Sequence, residues 1–271
     1  MKRRNFLASS LAASCVVGAS SMNEIVAANQ RDDAAQREYY ELRLYHLRRN
    51  PKSKSEMIDN YFGGVALPAM KRAGVGPVGF FNVMIGPDSP TLYVLLTHKT
   101  LESVATAAGR LAADAEYQKA GAAFLNAPAT DPTYVRMESS LMVAFSGMPK
   151  LEVMAGVAEK KPRLFELRTY ESHNKAASRK KIEMFNTGET ALFRRTGLQP
   201  VFFGETLIGT KLPNLTYMLT FPDMATRDKN WGTFIADPEW KKMSATPGFT
   251  DAEIVTNISS VFLRPTSYSE I

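Results

Sequence analysis

Residues 39–47 alternate strictly, with Tyr40, Leu42 and Leu44 on one side and Glu41, Arg43 and Tyr45 on the other. That period of two predicts a strand with one apolar and one polar face. From Pro51 to Arg72, Met57, Ile58, Tyr61, Phe62, Val65 and Met70 recur at three- and four-residue spacing. This predicts a helix kinked at Pro68 and ended by Gly74. Val78 to Ile85 and Thr91 to Thr97 are β-rich runs on either side of Gly86-Pro87-Asp88-Ser89-Pro90, a hairpin signal. Shorter helices are expected from Leu101 to Ala113 and from Glu116 to Leu125, then a last strand near Tyr134 to Phe145. Strand, helix, two strands, helix and strand make a ferredoxin-like α+β unit, a four-stranded antiparallel sheet with helices on one face.

The chain then repeats itself. Tyr40-Glu41-Leu42-Arg43-Leu44-Tyr45 returns as Phe165-Glu166-Leu167-Arg168-Thr169-Tyr170, and Arg72-Ala73-Gly74 as Arg195-Thr196-Gly197. Asp114-Ala115-Glu116-Tyr117-Gln118-Lys119 matches Asp237-Pro238-Glu239-Trp240-Lys241-Lys242, and Ser139-Ser140-Leu141 matches Ser259-Ser260-Val261. A repeat this long is a duplicated domain rather than a solenoid period. The two copies are placed at residues 38–146 and 163–266, joined through 147–162. Each sheet has a face its own helices leave bare, so the expected architecture packs the two repeats sheet to sheet around a shared barrel-like interior.

Ahead of the repeats, Lys2-Arg3-Arg4-Asn5-Phe6-Leu7 opens an apolar, small-residue stretch with the layout of a twin-arginine export signal. Val26-Ala27-Ala28 is a plausible cleavage site, which predicts a signal peptide of residues 1–28 and a periplasmic protein. Leu11-Ala12-Ala13-Ser14-Cys15 loosely resembles a lipoprotein site and leaves anchoring as a lesser alternative. Cys15 is the only cysteine, so the mature chain has no thiol for a disulfide, a nucleophile or a cysteine metal site. Without residues 1–28 the formal charge falls from +6 to +4, with acids and bases interspersed. Nucleic-acid binding, which calls for a concentrated basic stripe, is not expected. No Gly-Lys-Ser/Thr phosphate loop or Gly-x-Ser-x-Gly elbow is present.

The paired strand motifs, the Gly-Pro hairpin and the Asp-x-Glu-aromatic-x-Lys helix starts resemble the NIPSNAP family over nearly the whole mature chain, as two domains. The resemblance implies a dimeric α/β-barrel fold, fused here into one chain. That shape is shared with small monooxygenases, dehydratases and chlorite-dismutase-like haem proteins. The twin-arginine signal departs from the mitochondrial setting of the better-studied members, whose roles are therefore not carried over.

If the helices cover Tyr40, Leu42 and Leu44, then Glu41, Arg43 and Tyr45 face the lumen together with Glu166, Arg168 and Tyr170, and His46 stands beside them. Guanidinium, carboxylate and phenol groups could there orient a small hydrophobic or acidic ligand. Alternatively they form buried Glu–Arg pairs that pin the sheets. His46, His98 and His173 occupy no repeat-equivalent positions and lack metal-ligand spacing, so no metal is expected. No cofactor is predicted, a haem on one axial histidine staying open as an alternative. Two functions remain: a binding module for a small ligand or a protein partner, with a homo-oligomer as one option, and a small-molecule enzyme, monooxygenase-like or haem-assisted, with its site in the lumen.

Overall fold

The computed structural model describes residues 37–49, 52–154 and 161–271. The proposed export signal and its cleavage site lie outside these residues. The first repeat supplies strands β1 (Tyr39–Leu47), β2 (Val78–Ile85), β3 (Thr91–His98) and β4 (Tyr134–Ala144). The second supplies β5 (Leu164–Glu171), β6 (Gln199–Ile208), β7 (Asn214–Phe221) and β8 (Asn257–Pro265). The order β1-β3-β2-β8-β5-β7-β6-β4 closes on itself as one antiparallel barrel. Each half is thus the expected ferredoxin-like sheet, and the β2–β8 and β4–β6 pairings weld the two halves.

Those welds are short. β4 pairs with β1 along its length but with β6 only at Leu141–Ala144, and β8 meets β2 only from Phe262 to Pro265. The other ends of β4 and β8 stand away from the neighbouring half, so the barrel flares at the end that carries the β2–β3 and β6–β7 hairpins. The opposite end is packed. Tyr40, Phe81, Phe165, Phe202, Met218 and Leu263 fill the interior there, with Tyr40 on Phe202 at 5.0 Å and Phe81 on Phe165 at 4.9 Å between ring centroids. Two separate cores lie outside the barrel wall, under the helices of each half.

The halves also exchange their tails. After β4, the Leu151 N–H donates to Glu38 and the Glu152 N–H donates to the carbonyl of Val201 in the second half. After β8, the Glu270 N–H donates to the Val78 carbonyl, and the Glu270 carboxylate accepts from the Val78 N–H. Leu151 and Ile271, at matching places in the two copies, both press into the packed end of the barrel.

The long helix of each half widens midway, at Asn60–Ala66 and Phe185–Glu189, into a π turn closed by the N–H of Leu67 on Phe62 and of Thr190 on Phe185. Pro68 follows the first, as a kink would suggest, but Ala191 stands at its place in the second. Proline is therefore not the cause; a shared backbone path is.

Both long helices end on a glycine with positive φ, Gly74 at 71° and Gly197 at 83°. An alanine there adopts a left-handed conformation at a cost of about 1 kcal/mol. A Cβ on Gly74 meets open space, whereas one on Gly197 would lie 2.8 Å from the Asn230 amide nitrogen, which donates to the Gly197 carbonyl. Thermal unfolding is expected to show Gly74→Ala losing a few degrees, about 2–4 °C per kcal/mol, and Gly197→Ala losing more. Equal losses would mean that Asn230 moves aside freely.

Candidate functional site

The apolar side of β1 faces inward. Tyr40 and Leu42 are buried in the barrel interior with Phe165 and Leu167, and Leu44 packs against them. Glu41, Arg43, Tyr45, Glu166, Arg168 and Tyr170 therefore do not line the lumen, contrary to the sequence-based expectation. They lie on the outer face of the wall beneath the helices, where Tyr45 joins Ile58 and Phe62, and Tyr170 joins Phe185. The physical reason is that a closed barrel this narrow fills its interior with side chains, so both faces of a wall strand are buried and the more apolar face goes inward. Of the seven candidates, His46 alone lines the open part of the lumen.

The six displaced residues form two buried ion-pair networks. Arg43 grips Glu41 through both carboxylate oxygens at 2.6 and 2.8 Å, and Ser139 adds a hydrogen bond. Burial alone would raise the Glu41 carboxyl, but the Arg43 contacts hold it below its usual value. Glu166 is fully buried and more heavily partnered. It accepts from Arg168 at 2.7 Å, from Arg227 at 2.8 and 2.9 Å, and from the Trp231 ring N–H at 3.0 Å. Here too burial is outweighed, by Arg227 and Arg168, and the carboxyl sits low. The Glu166 network ties β5 to a helix of its own half, Met224–Ala236, whereas the Glu41–Arg43 pair and Ser139 link neighbouring strands of the first sheet.

A third network exists in the second half alone. Lys181, buried, places its Nζ 3.1 Å from buried Glu189 and 3.4 Å from Asp251, with the rings of Tyr170, Phe185 and Trp240 around it. The equivalent positions in the first half are Ile58 and Ala66.

At the flared end the interior opens into a cavity of about 260 Å³. One wall is apolar, with Leu42, Leu44, Met142, Leu167 and Val261, and includes the Tyr93 ring. The other carries Thr169, Thr206, Asn214 and Thr216. Asn214 organises that wall. Its amide nitrogen donates to the carbonyls of Thr210 at 2.9 Å and Lys211 at 3.1 Å, and its oxygen accepts from Thr206 at 2.6 Å and Thr216 at 3.4 Å. Thr169 and Thr216 share a hydrogen bond of 3.0 Å. At the rim, His46 Nε2 lies 3.0 Å from Glu138, and its Nδ1 lies 3.4 Å from Thr91, whose hydroxyl donates to the Asp88 carbonyl.

A family model for NIPSNAP matches residues 40–149 and 165–270, the two repeats in turn. The chain belongs to the NIPSNAP family. Single NIPSNAP domains among solved structures match half of it. One from Burkholderia xenovorans is 20% identical and covers 40% of this chain and 90% of its own, with a TM-score of 0.36. One from Agrobacterium tumefaciens is 14% identical and covers 41% and 94%, with a TM-score of 0.37. A proposed monooxygenase from Lactobacillus acidophilus, 9% identical, covers 84% of this chain and 94% of its own with a TM-score of 0.54, a likeness of fold. No curated protein matches.

In this NIPSNAP protein the three histidines fall in three environments. His46 is at the cavity rim, His98 is fully buried outside the lumen against Ser103 and Glu41, and His173 is exposed. Burial lowers the His98 imidazole below its usual value. Among the described residues no three His, Cys, Asp or Glu side chains gather as a metal site. The threonine wall was missed at the sequence level, yet a signal existed. Thr169, Thr206 and Thr216 replace Leu44, Val83 and Tyr93 of the first half, three departures from the repeat that converge in space.

Proposed function

We propose that this NIPSNAP protein is an exported binding module that holds one small, largely apolar molecule in the flared end of its fused barrel. The observation that carries this reading is the cavity: the interior is packed with aromatic rings at one end, and at the other about 260 Å³ is open. That volume lies just below the roughly 300–1,000 Å³ of pockets for drug-sized ligands, which suits a single-ring molecule. Exposed Ile85 and Ile208, repeat-equivalent, with Met84, Leu207 and Leu212, give the same end an apolar collar. Export rests on the Arg3-Arg4 signal pattern. An acidic ligand loses its support, since Arg43 and Arg168 are engaged by carboxylates outside the lumen.

Against a haem speak the size of the cavity and its histidine. His46, the only one on the cavity wall among the described residues, has one nitrogen at Thr91 and the other at Glu138. The enzyme alternative rests on that His46–Glu138 pair and on Tyr93, whose hydroxyl has no protein partner among the described residues. Burial pushes the Tyr93 phenol up to about 12, so near neutral pH it is a hydrogen-bond donor rather than a base. This favours holding over transforming.

A screen of single-ring fragments by methyl NMR tests the reading, with Leu44→Trp to fill the cavity. Fragments are expected to shift cavity methyls in the wild type and to lose about tenfold or more in affinity in Leu44→Trp, as a site of this size allows little overlap. Equal binding by both proteins, or no binding to either, overturns it.

A further inference from the structure

We infer, building on that binding reading, that the ligand is a neutral molecule that donates a hydrogen bond to the Thr169–Thr206 wall, as a phenol or an alcohol does. The direction of every hydrogen bond in this wall follows from Asn214. Its amide nitrogen faces two backbone carbonyls, which only accept, so the oxygen of the amide must face Thr206 and Thr216. An amide oxygen cannot donate. Thr206 gives its single hydroxyl hydrogen to Asn214 at 2.6 Å, and in the arrangement that satisfies all of these contacts together Thr216 gives its own to Asn214 across 3.4 Å.

Thr216 then has only lone pairs left for Thr169, and the hydrogen of that 3.0 Å contact comes from Thr169. On this wall Thr169 and Thr206 then present acceptors to the cavity. A buried acceptor left unmatched costs free energy, whereas one matched by a donor does not. The wall thus selects for O–H or N–H groups and against ethers and carboxylates, which would set lone pair against lone pair.

Charge points the same way. The rim acids are already partnered: Glu138 by Arg136 at 2.8 Å, Asp88 by Arg136 at 3.7 Å, and Glu171 by Lys211 at 3.8 Å and by Asn257 at 2.8 Å. No unpaired carboxylate among the described lining residues remains to hold a cation. In the first half, Leu44 and Val83 stand where the second has Thr169 and Thr206. The ligand therefore turns a donor edge to the threonines and carries no charge, while the Tyr93, Ser140 and Ser259 hydroxyls line other parts of the cavity.

Phenol, its methyl ether anisole, and benzoate test this on the full chain carrying ¹³C-labelled threonine methyls. Phenol is expected to bind about tenfold more tightly than anisole, the scale of one hydrogen bond, with benzoate weaker still. In Thr169→Val/Thr206→Val the Thr216 methyl still reports, and the phenol preference is expected to vanish; valine is sterically close, and Val83 already occupies the site equivalent to Thr206. Anisole or benzoate binding as well as phenol, or a phenol preference unchanged in the double variant, overturns the inference while leaving the cavity as a binding site. Failure of all three probes overturns it as well, and the Leu44→Trp screen then shows whether the binding reading falls with it.

Discussion

Glu166→Ala is expected to destabilise the protein by about 3–5 kcal/mol, the scale for removing one partner of a buried ion pair. Four donor contacts converge on this carboxylate from Arg168, Arg227 and Trp231. Without it the Arg168 guanidinium stays under the helix with no carboxylate beside it. At 2–4 °C per kcal/mol the melting temperature should drop by on the order of 10 °C. Glu41→Ala is the internal control. Its carboxylate is gripped by Arg43 and Ser139, is more exposed, and lacks the helix donors, so its loss should be smaller. Equal losses would show that the Arg227 and Trp231 contacts contribute nothing.

The pH dependence has a definite sign. The Glu166 carboxyl is held below its usual value in the folded state. Its contribution is therefore present above the carboxylate pKa of the unfolded chain and is lost as pH falls through the folded value. Glu166→Gln should flatten the acid limb of a stability profile measured by denaturant titration. An unchanged acid limb would remove Glu166 from its causes.

The second large effect concerns Lys181 and Glu189. Lys181→Ile alone should cost about 3–5 kcal/mol, because Glu189 is left as an uncompensated buried charge. Lys181→Ile/Glu189→Ala should recover most of that loss and could exceed the wild type by about 1–4 kcal/mol, as replacements of buried pairs by apolar residues have done. The choice of residues comes from the molecule itself, since Ile58 and Ala66 occupy these places in the first half. A double variant as unstable as Lys181→Ile would mean that the aromatic cage of Tyr170, Phe185 and Trp240 requires the ammonium.

Much of the fold was legible because duplication doubles each signal. The hairpin around Gly86-Pro87-Asp88 and the strand around Tyr40 to Tyr45 were each written twice, and the observed strands Tyr39–Leu47 and Val78–Ile85 follow the pattern. The orientation of β1 was not legible. Alternation separates two faces but does not say which is inside, and in a packed barrel Tyr40 and Tyr45 are both buried. The ion pairs were anticipated as an alternative, yet the partners that decide their place, Arg227 and Trp231, lie some sixty residues from Glu166 in sequence. The cavity was hidden for the opposite reason. It is built from threonines that read individually as ordinary strand residues, and only their shared departure from Leu44, Val83 and Tyr93 marks them.

The exchanged tails carry a consequence for traffic. Because Leu151 and Ile271 stop up the aromatic end of the barrel, each delivered from the opposite half, the protein is a cup rather than a conduit. A molecule held as proposed would have one doorway, ringed by the exposed collar of Ile85 and Ile208, so whatever covered that collar would govern entry and exit together.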